Sequence, residues 1–337
     1  MGAFECISTS TIVVPAESTE VFTISTCSSG TLNDKRKDLE SQSSKPSGWS
    51  SSRTLWWMLG VDLPLLLIVA AVIGLFELGV IPSQKAGFFC RDPALSYPYT
   101  GDTVNAATLM STIFLLPILI ALPTEYIFTD SELSAAMKLR QASRNTGYLY
   151  RTYFFGFVLN LGVVEVVKGI MGSHRPNFFD LCQPDTGKTC NGSEFVSSFV
   201  CTSTQYSSWY QMDSYRSFPS GHTSLAVYCG FFIAWYLQNR AFDWTHRSIF
   251  LVPALQLLSI SYAAVCSLTR ITDHRHHWWD VLVGAIIGLT TVYYAAVALS
   301  DNFSYYTSKK TSVLKSEESR QTVRTLLYDN QREPITP

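Results

Sequence analysis

The feature that most restricts this chain is a set of six long apolar stretches, at residues 55–78, 105–128, 149–171, 222–237, 248–268 and 278–300. Most hold about 18 to 24 predominantly apolar residues, the length a helix rising 1.5 Å per residue needs to cross a hydrocarbon core roughly 30 Å thick. The composition agrees: 15% of the 337 residues are charged and 47% are hydrophobic, where an average soluble domain carries about 25% charged residues. The expected fold class is therefore an all-α integral membrane protein built as a six-helix bundle, with the lipid bilayer as its first partner. A formal net charge of −1 without a concentrated basic block argues against a nucleic-acid partner, which demands a positive footprint.

Residues 1–52 are rich in Ser and Thr, with the small basic cluster Lys35, Arg36 and Lys37, and read as a disordered tail. Glu5, Glu17 and Glu20 break up what apolarity the first 30 residues have. No cleavable signal peptide is expected, and the first span is left to act as the targeting signal. Gly2 is followed by Cys6 rather than Ser or Thr, which speaks against myristoylation. The membrane domain is expected over 53–300, and 301–337, with Lys309, Lys310 and Lys315, forms a second polar tail. Lys and Arg near span ends set orientation. The N-terminal tail, the loop with Lys138, Arg140 and Arg144, the turn with Arg240 and Arg247, and the C-terminal tail fall on one side, which is thereby cytoplasmic.

The loop from 172 to 221 then faces the other compartment and holds the glycosylation acceptor Asn191-Gly192-Ser193. Asn302-Phe303-Ser304 has the same pattern on the cytoplasmic side and is expected to stay unmodified. Cys90, Cys182, Cys190 and Cys201 all fall in the oxidising compartment, where one or two disulfides are permitted and three pairings are open.

Three ionisable clusters sit at the non-cytoplasmic ends of spans, where polar groups are costly and therefore point to function. In the first, Lys168 precedes Arg175-Pro176 by seven residues, so on one helix, which Pro176 is expected to end, the two cations would share a face and converge on an anion. In the second, Phe218-Pro219-Ser220-Gly221-His222 opens a span. Ser220 is a natural N-cap, Gly221 admits close approach, and the helix N-terminus offers unpaired N–H donors to an anion beside the proton-carrying His222. The third runs from Thr269-Arg270 through Asp273-His274-Arg275-His276-His277 to Trp278-Trp279-Asp280. Asp280 lies four residues after His276, which allows a carboxylate–imidazole bond that fixes the tautomer and frees the other ring nitrogen for attack. Arg270 adds a planar fork for phosphate oxygens. His274 and His277 have no evident partner, and Trp278 and Trp279 suit a membrane interface. Several cations and few carboxylates are the reverse of a divalent-cation cage, so no metal and no other cofactor is expected. Three cations, a helix N-terminus and two imidazoles, one paired to a carboxylate, make a constellation for phosphoryl transfer.

Lys-x6-Arg-Pro, Pro-Ser-Gly-His and Arg-x5-His-x3-Asp, in this order and spacing, closely resemble the signature of the type 2 phosphatidic acid phosphatase (PAP2) superfamily. Within it the chain is similar to the lipid phosphate phosphatases, a likeness extended by Gly87 to Tyr99 and by Phe178-Phe179-Asp180-Leu181-Cys182, and covering about 55–300. The resemblance implies six spans of the PAP2/haloperoxidase-like type with both termini cytoplasmic. It also implies metal-independent hydrolysis of lipid phosphate monoesters: phosphatidate, lysophosphatidate, sphingosine 1-phosphate and ceramide 1-phosphate. His276 would be the nucleophile that becomes phosphorylated, Asp280 would orient it, and His222 would protonate the departing alcohol. Lys168, Arg175, Ser220, Gly221 and Arg270 would bind phosphate. Thr269 stands where the family motif usually begins with Ser, and its retained hydroxyl implies retained activity. The readings carried beside this one are a catalytically silent lipid-phosphate binding or uptake protein, and a relative acting on sugar phosphate or polyprenyl diphosphate. The expected address is the plasma membrane with an extracellular site, and homo-oligomerisation is left open.

Overall fold

The computed structural model describes residues 60–61, 63–129, 133–242 and 250–303. The readings made for the N-terminal tail and its Cys6, for the C-terminal tail beyond residue 303, and for Arg247 lie outside the described residues. The six longest helices among the described residues are, in chain order, α1 (Leu63–Glu77), α2 (Ala106–Ile127), α3 (Ala135–Met171), α6 (Gly221–Arg240), α7 (Leu251–Thr272) and α8 (Trp278–Tyr294). A π turn over Ala295–Leu299 extends α8. Two short helices, α4 (Phe178–Cys182) and α5 (Ser208–Asp213), and two short strands, β1 (Phe88–Phe89) and β2 (Phe195–Val196), lie in the connections.

Four of these helices, α2, α3, α7 and extended α8, are long and apolar enough to cross a membrane, with mean hydropathies of 1.7 to 2.1. The six expected spans are thus not six equally apolar helices. With 15 described residues, α1 is apolar but short. α6 is 20 residues long yet mixes polar side chains along its length. The reason lies in the packing: α6 is walled by α2, α3, α7 and α8, so Thr223, Ser224, Leu225, Tyr228 and Phe232 on its several faces are all buried. Its neighbours face outward with Leu115 and Leu119 on α2, Leu257 and Leu258 on α7, and Ile286 on α8. Such an apolar exterior suits hydrocarbon rather than water.

Without a hydrophobic drive between helices in lipid, close backbone approach holds a bundle together. A Cβ on Gly284 of α8 would stand 2.5 Å from the carbonyl oxygen of Ser220, and one on Gly288 would stand 2.6 Å from that of Ser224. α8 therefore lies directly against the first two turns of α6.

At the end of the bundle where α6 and α8 begin, the connections fold into a cap. β1 pairs antiparallel with β2, Phe88 opposite Val196 and Phe89 opposite Phe195. Disulfides join Cys90 to Cys190 and Cys182 to Cys201, resolving the pairing that sequence left open. Phe88, Leu95, Phe178, Cys182 and Phe199 form a small core beneath them. The edge of His174 meets Phe178 there, and burial pushes its imidazole down to about 4.

Candidate active site

The expected N-cap is present. The Ser220 Oγ accepts from the Thr223 N–H at 3.4 Å and from the Thr223 hydroxyl at 3.1 Å, while the Ser220 N–H donates to the Asp280 carbonyl at 3.0 Å. The start of α6 is therefore bound to the start of α8. A Cβ on Gly221 would lie 3.4 Å from the Lys168 ammonium, which brings that cation beside the helix N-terminus. Lys168 is held at 2.9 Å by Glu165 Oε1, and the other oxygen of Glu165 pairs with Arg216.

Lys168 and Arg175 meet the site by a different route from the shared helix face that their spacing implied. α3 stops at Met171, where Gly172 adopts a left-handed conformation (φ 55°). A Cβ there would also collide with the Gln84 carbonyl at 2.0 Å. Arg175 thus lies four residues past the helix, and its N–H is fixed by the Ser214 carbonyl at 2.8 Å. Pro176 does not end the helix; Gly172 already has.

The Arg175 guanidinium is buried and fully engaged. Its Nε donates to the Asp213 carbonyl at 2.7 Å and its Nη2 to Asp213 Oδ1 at 2.6 Å. Its Nη1 reaches the Arg275 carbonyl at 3.1 Å and His276 Nε2 at 3.2 Å. His276 sits just ahead of α8, whose N-cap is His277. Asp280 lies in the first turn of α8 and accepts the His277 N–H at 2.9 Å, closing the helix start in the manner of a capping carboxylate. The expected direct bond between Asp280 and His276 is not formed: Oδ2 and Nδ1 are 3.7 Å apart. Instead the Ser217 hydroxyl donates to Asp280 Oδ2 at 2.6 Å and lies 3.3 Å from His276 Nδ1. Burial pushes the His276 imidazole down to about 3, with the Arg175 charge adding to it, against the pull of Asp280. The ring is neutral at ordinary pH, as a nucleophile must be.

Arg270 is 1% exposed, and its fork is already occupied. Nη1 donates to Asp102 Oδ1 at 3.0 Å, and Nη2 donates to the Val104 carbonyl at 2.9 Å and to Asp273 Oδ2 at 3.0 Å. Its Nε is without a hydrogen-bond partner among the described residues. Arg275 bridges Asp213 Oδ2 at 2.8 Å and Asp102 Oδ1 at 3.1 Å, and its guanidinium lies 5.0 Å over the Tyr99 ring. Burial would raise the Asp213 carboxyl, but the Arg175 and Arg275 guanidiniums hold it well below the usual carboxylate range. His222 is largely enclosed, with Nε2 unpartnered among the described residues. It lies within electrostatic reach of Arg270, His276, Arg175 and Lys168, so all three sequence clusters converge.

Other expectations are modified. His274 stacks on Tyr97 at 4.0 Å, and His277 stacks on Trp279 at 4.5 Å; neither is simply solvated. Trp278 and Trp279 are exposed, as interface aromatics would be. The Thr269 hydroxyl turns back on its own helix, donating to the Cys266 carbonyl at 3.1 Å. Asn191 is exposed beside the Cys90–Cys190 disulfide. Sequence reasoning missed Asp102, Asp213 and Ser217, and gave Arg275, named within the third cluster, no role of its own. A counter-charge audit would have found the acids, because cations buried at one end of a membrane bundle require carboxylates, and Asp102 and Asp213 lie in two of the connections that reach that end.

Residues 149–304 match the model of the PAP2 superfamily. The chain is 30% identical over 257 residues to "Phospholipid phosphatase 2" of Bos taurus, an alignment covering 74% of this chain and 84% of that one. It is 31% identical over 257 residues to "Phospholipid phosphatase homolog 1.2 homolog" of Caenorhabditis elegans, covering 73% and 74% respectively. With "Phospholipid phosphatase 2" of Homo sapiens it shares 29% over 251 residues, covering 74% and 84%. No solved structure matches the chain.

Proposed function

Because the chain belongs to the PAP2 superfamily, as its relatives named phospholipid phosphatases do, we propose that it is an integral-membrane phosphatase of lipid phosphate monoesters acting through a phosphohistidine. The observation that carries the reading is the neutral, buried His276. Its Nε2 meets Arg175, and the other side of the ring faces Ser217 and Asp280. A ring held in this way needs only a phosphorus atom beside Nε2.

The substrate phosphate enters over the N-terminus of α6. Lys168 and the N–H groups that follow Ser220 take its oxygens, with Arg175 and Arg270 turning part of their forks toward it. As Arg175 transfers its Nη1 from His276 to a phosphate oxygen, the Nε2 lone pair is released. Nε2 then attacks phosphorus, the bond from phosphorus to the lipid oxygen breaks, and protonated His222 gives its proton to that oxygen. The phosphate's negative charge offsets the surrounding cations and favours the protonated imidazole of His222 until that moment. Water next attacks the phosphohistidine, His222 takes a proton from it, and inorganic phosphate leaves. Phosphatidate, lysophosphatidate, sphingosine 1-phosphate and ceramide 1-phosphate share the group that this chemistry requires. The domain is read as 53–300, with six spans, both tails cytoplasmic and the site on the extracellular or lumenal face, most simply at the plasma membrane. Paired cysteines in the cap support that side.

Phosphate release from phosphatidate in detergent micelles with excess chelator tests the reaction. Wild type is expected to be active and His276→Ala at least about 10³-fold slower. Loss of activity in both, with intact folding, would favour the silent binding protein. Topology has its own test: a glycan-removing enzyme is expected to shift the gel mobility of wild type but not of Asn191→Gln.

A further inference from the structure

Asp280 stands too far from His276 to hold it, at 3.7 Å from Oδ2 to Nδ1. Between them lies the Ser217 hydroxyl, 2.6 Å from Asp280 Oδ2 and 3.3 Å from His276 Nδ1. The far side of the ring fixes the direction of both bonds. Arg175 has donors only, so its Nη1, 3.2 Å from Nε2, requires Nε2 to accept. A neutral imidazole that accepts at Nε2 carries its proton on Nδ1. A carboxylate accepts only, so the Ser217 hydrogen points to Asp280, and the Oγ lone pairs face the Nδ1–H.

We infer that Ser217 is a positioning residue, a one-way hydrogen-bond relay from His276 Nδ1–H to Oγ and from Oγ–H to Asp280, which holds His276 in the tautomer with Nε2 bare. The inference deepens the proposed reaction and rests on the reading of His276 as its nucleophile.

The setting of Ser217 is built for this. It is fully buried, and its N–H donates to the Ser173 carbonyl at 2.8 Å, two residues ahead of Arg175. One backbone contact therefore ties the relay to the guanidinium on the opposite edge of the ring. The next segment, Phe218-Pro219-Ser220, leads into the N-cap, whose N–H binds the Asp280 carbonyl. The stretch that carries the hydroxyl thus also holds its acceptor, Asp280, while the His276 N–H is held by the Arg270 carbonyl at 3.1 Å. No proton changes owner along the relay. When Nε2 bonds to phosphorus the ring becomes cationic, its Nδ1–H becomes a stronger donor, and the relay carries the carboxylate's charge to it.

Full-length protein labelled with ¹⁵N-histidine in detergent micelles gives the direct test, with the His276 signals identified by their loss in His276→Ala. The wild-type ring is expected to be protonated on Nδ1, and Ser217→Ala to give a mixture of tautomers. A wild-type ring protonated on Nε2 overturns the relay whether or not the protein releases phosphate. The kinetic consequence is a kcat lowered about 10- to 100-fold in Ser217→Ala with KM within about twofold, and recovery to within about threefold in Ser217→Thr, which keeps the hydroxyl. An unchanged kcat in Ser217→Ala, or a raised KM in its place, overturns the proposal, the second result marking Ser217 as a phosphate contact. A wild type that keeps the Nδ1 tautomer but releases no phosphate sinks the nucleophile reading and leaves the relay standing.

Discussion

Two buried polar clusters occupy opposite ends of α6, about 28 Å apart over its length. At the C-terminal end Glu125 of α2 is fully buried, and each of its oxygens takes two bonds. Oε1 accepts from the Tyr236 hydroxyl at 2.8 Å and Arg240 Nε at 2.9 Å, while Oε2 accepts from Asn145 at 3.0 Å and Arg240 Nη2 at 3.1 Å. At the N-terminal end Asp280 is just as buried. There Asp280 Oδ1, His222 Nε2, Arg270 Nε and Arg275 Nη1 have no hydrogen-bond partner among the described residues. The same ingredients serve two purposes. A saturated network locks helices together, whereas one with donors and acceptors to spare can bind a phosphate and release it.

Exchanging the lesions should break the comparison most sharply. Asp280→Asn is expected to keep the fold and lower kcat by about 10² to 10⁴. Glu125→Ala removes the carboxylate that Arg240 binds and is expected to cost about 3–5 kcal/mol of stability. Thermal midpoints measured beside phosphate release would tell the two apart, and equal losses of stability in both variants would erase the distinction. Packing gives a second, smaller contrast. Gly284→Ala must push α8 off Ser220, and Gly288→Ala must push it off Ser224 one turn further in. Both are expected to cost about 1–3 kcal/mol, but only the first should lower kcat, by about tenfold, because only Ser220 caps the proposed phosphate seat.

The least effect is one of pH. An unfolded histidine binds its proton near pH 6.5, whereas folded His276 stays neutral down to about 3. The folded state therefore keeps its full stability above pH 6.5 and loses it as the pH falls toward 3. At pH 5 the loss amounts to about 2 kcal/mol. The acid slope of the thermal midpoint should accordingly flatten in His276→Gln and persist in Glu125→Gln.

Much of the candidate site was legible because its signals are local. Ser220 caps the helix that its position announced, and the three motifs meet because each is anchored to a helix end. The routes between residues were less legible. The i,i+4 spacing of His276 and Asp280 suggested contact, but spacing does not reveal that α8 starts only at Trp278, nor that a serine 59 positions away fills the gap. Lys168 and Arg175 were read on one helix because Pro176 drew attention from Gly172, the residue whose left-handed backbone ends it. Asp102 and Asp213 went unnoticed because a lone carboxylate between two spans carries no pattern of its own. The saturated cluster was invisible for the same reason: Glu125, Asn145 and Arg240 come from three helices.

The helix that carries the proposed phosphate seat is also less apolar than the four neighbours long and apolar enough to cross a membrane by themselves. A segment such as α6 gains little by dissolving alone in lipid, since Thr223, Ser224 and the rest of its polar surface would meet hydrocarbon. In the folded bundle α2, α3, α7 and α8 stand between that surface and the surroundings, so its place depends on theirs. The helix on which the proposed reaction turns is thereby the one least able to stand without the others.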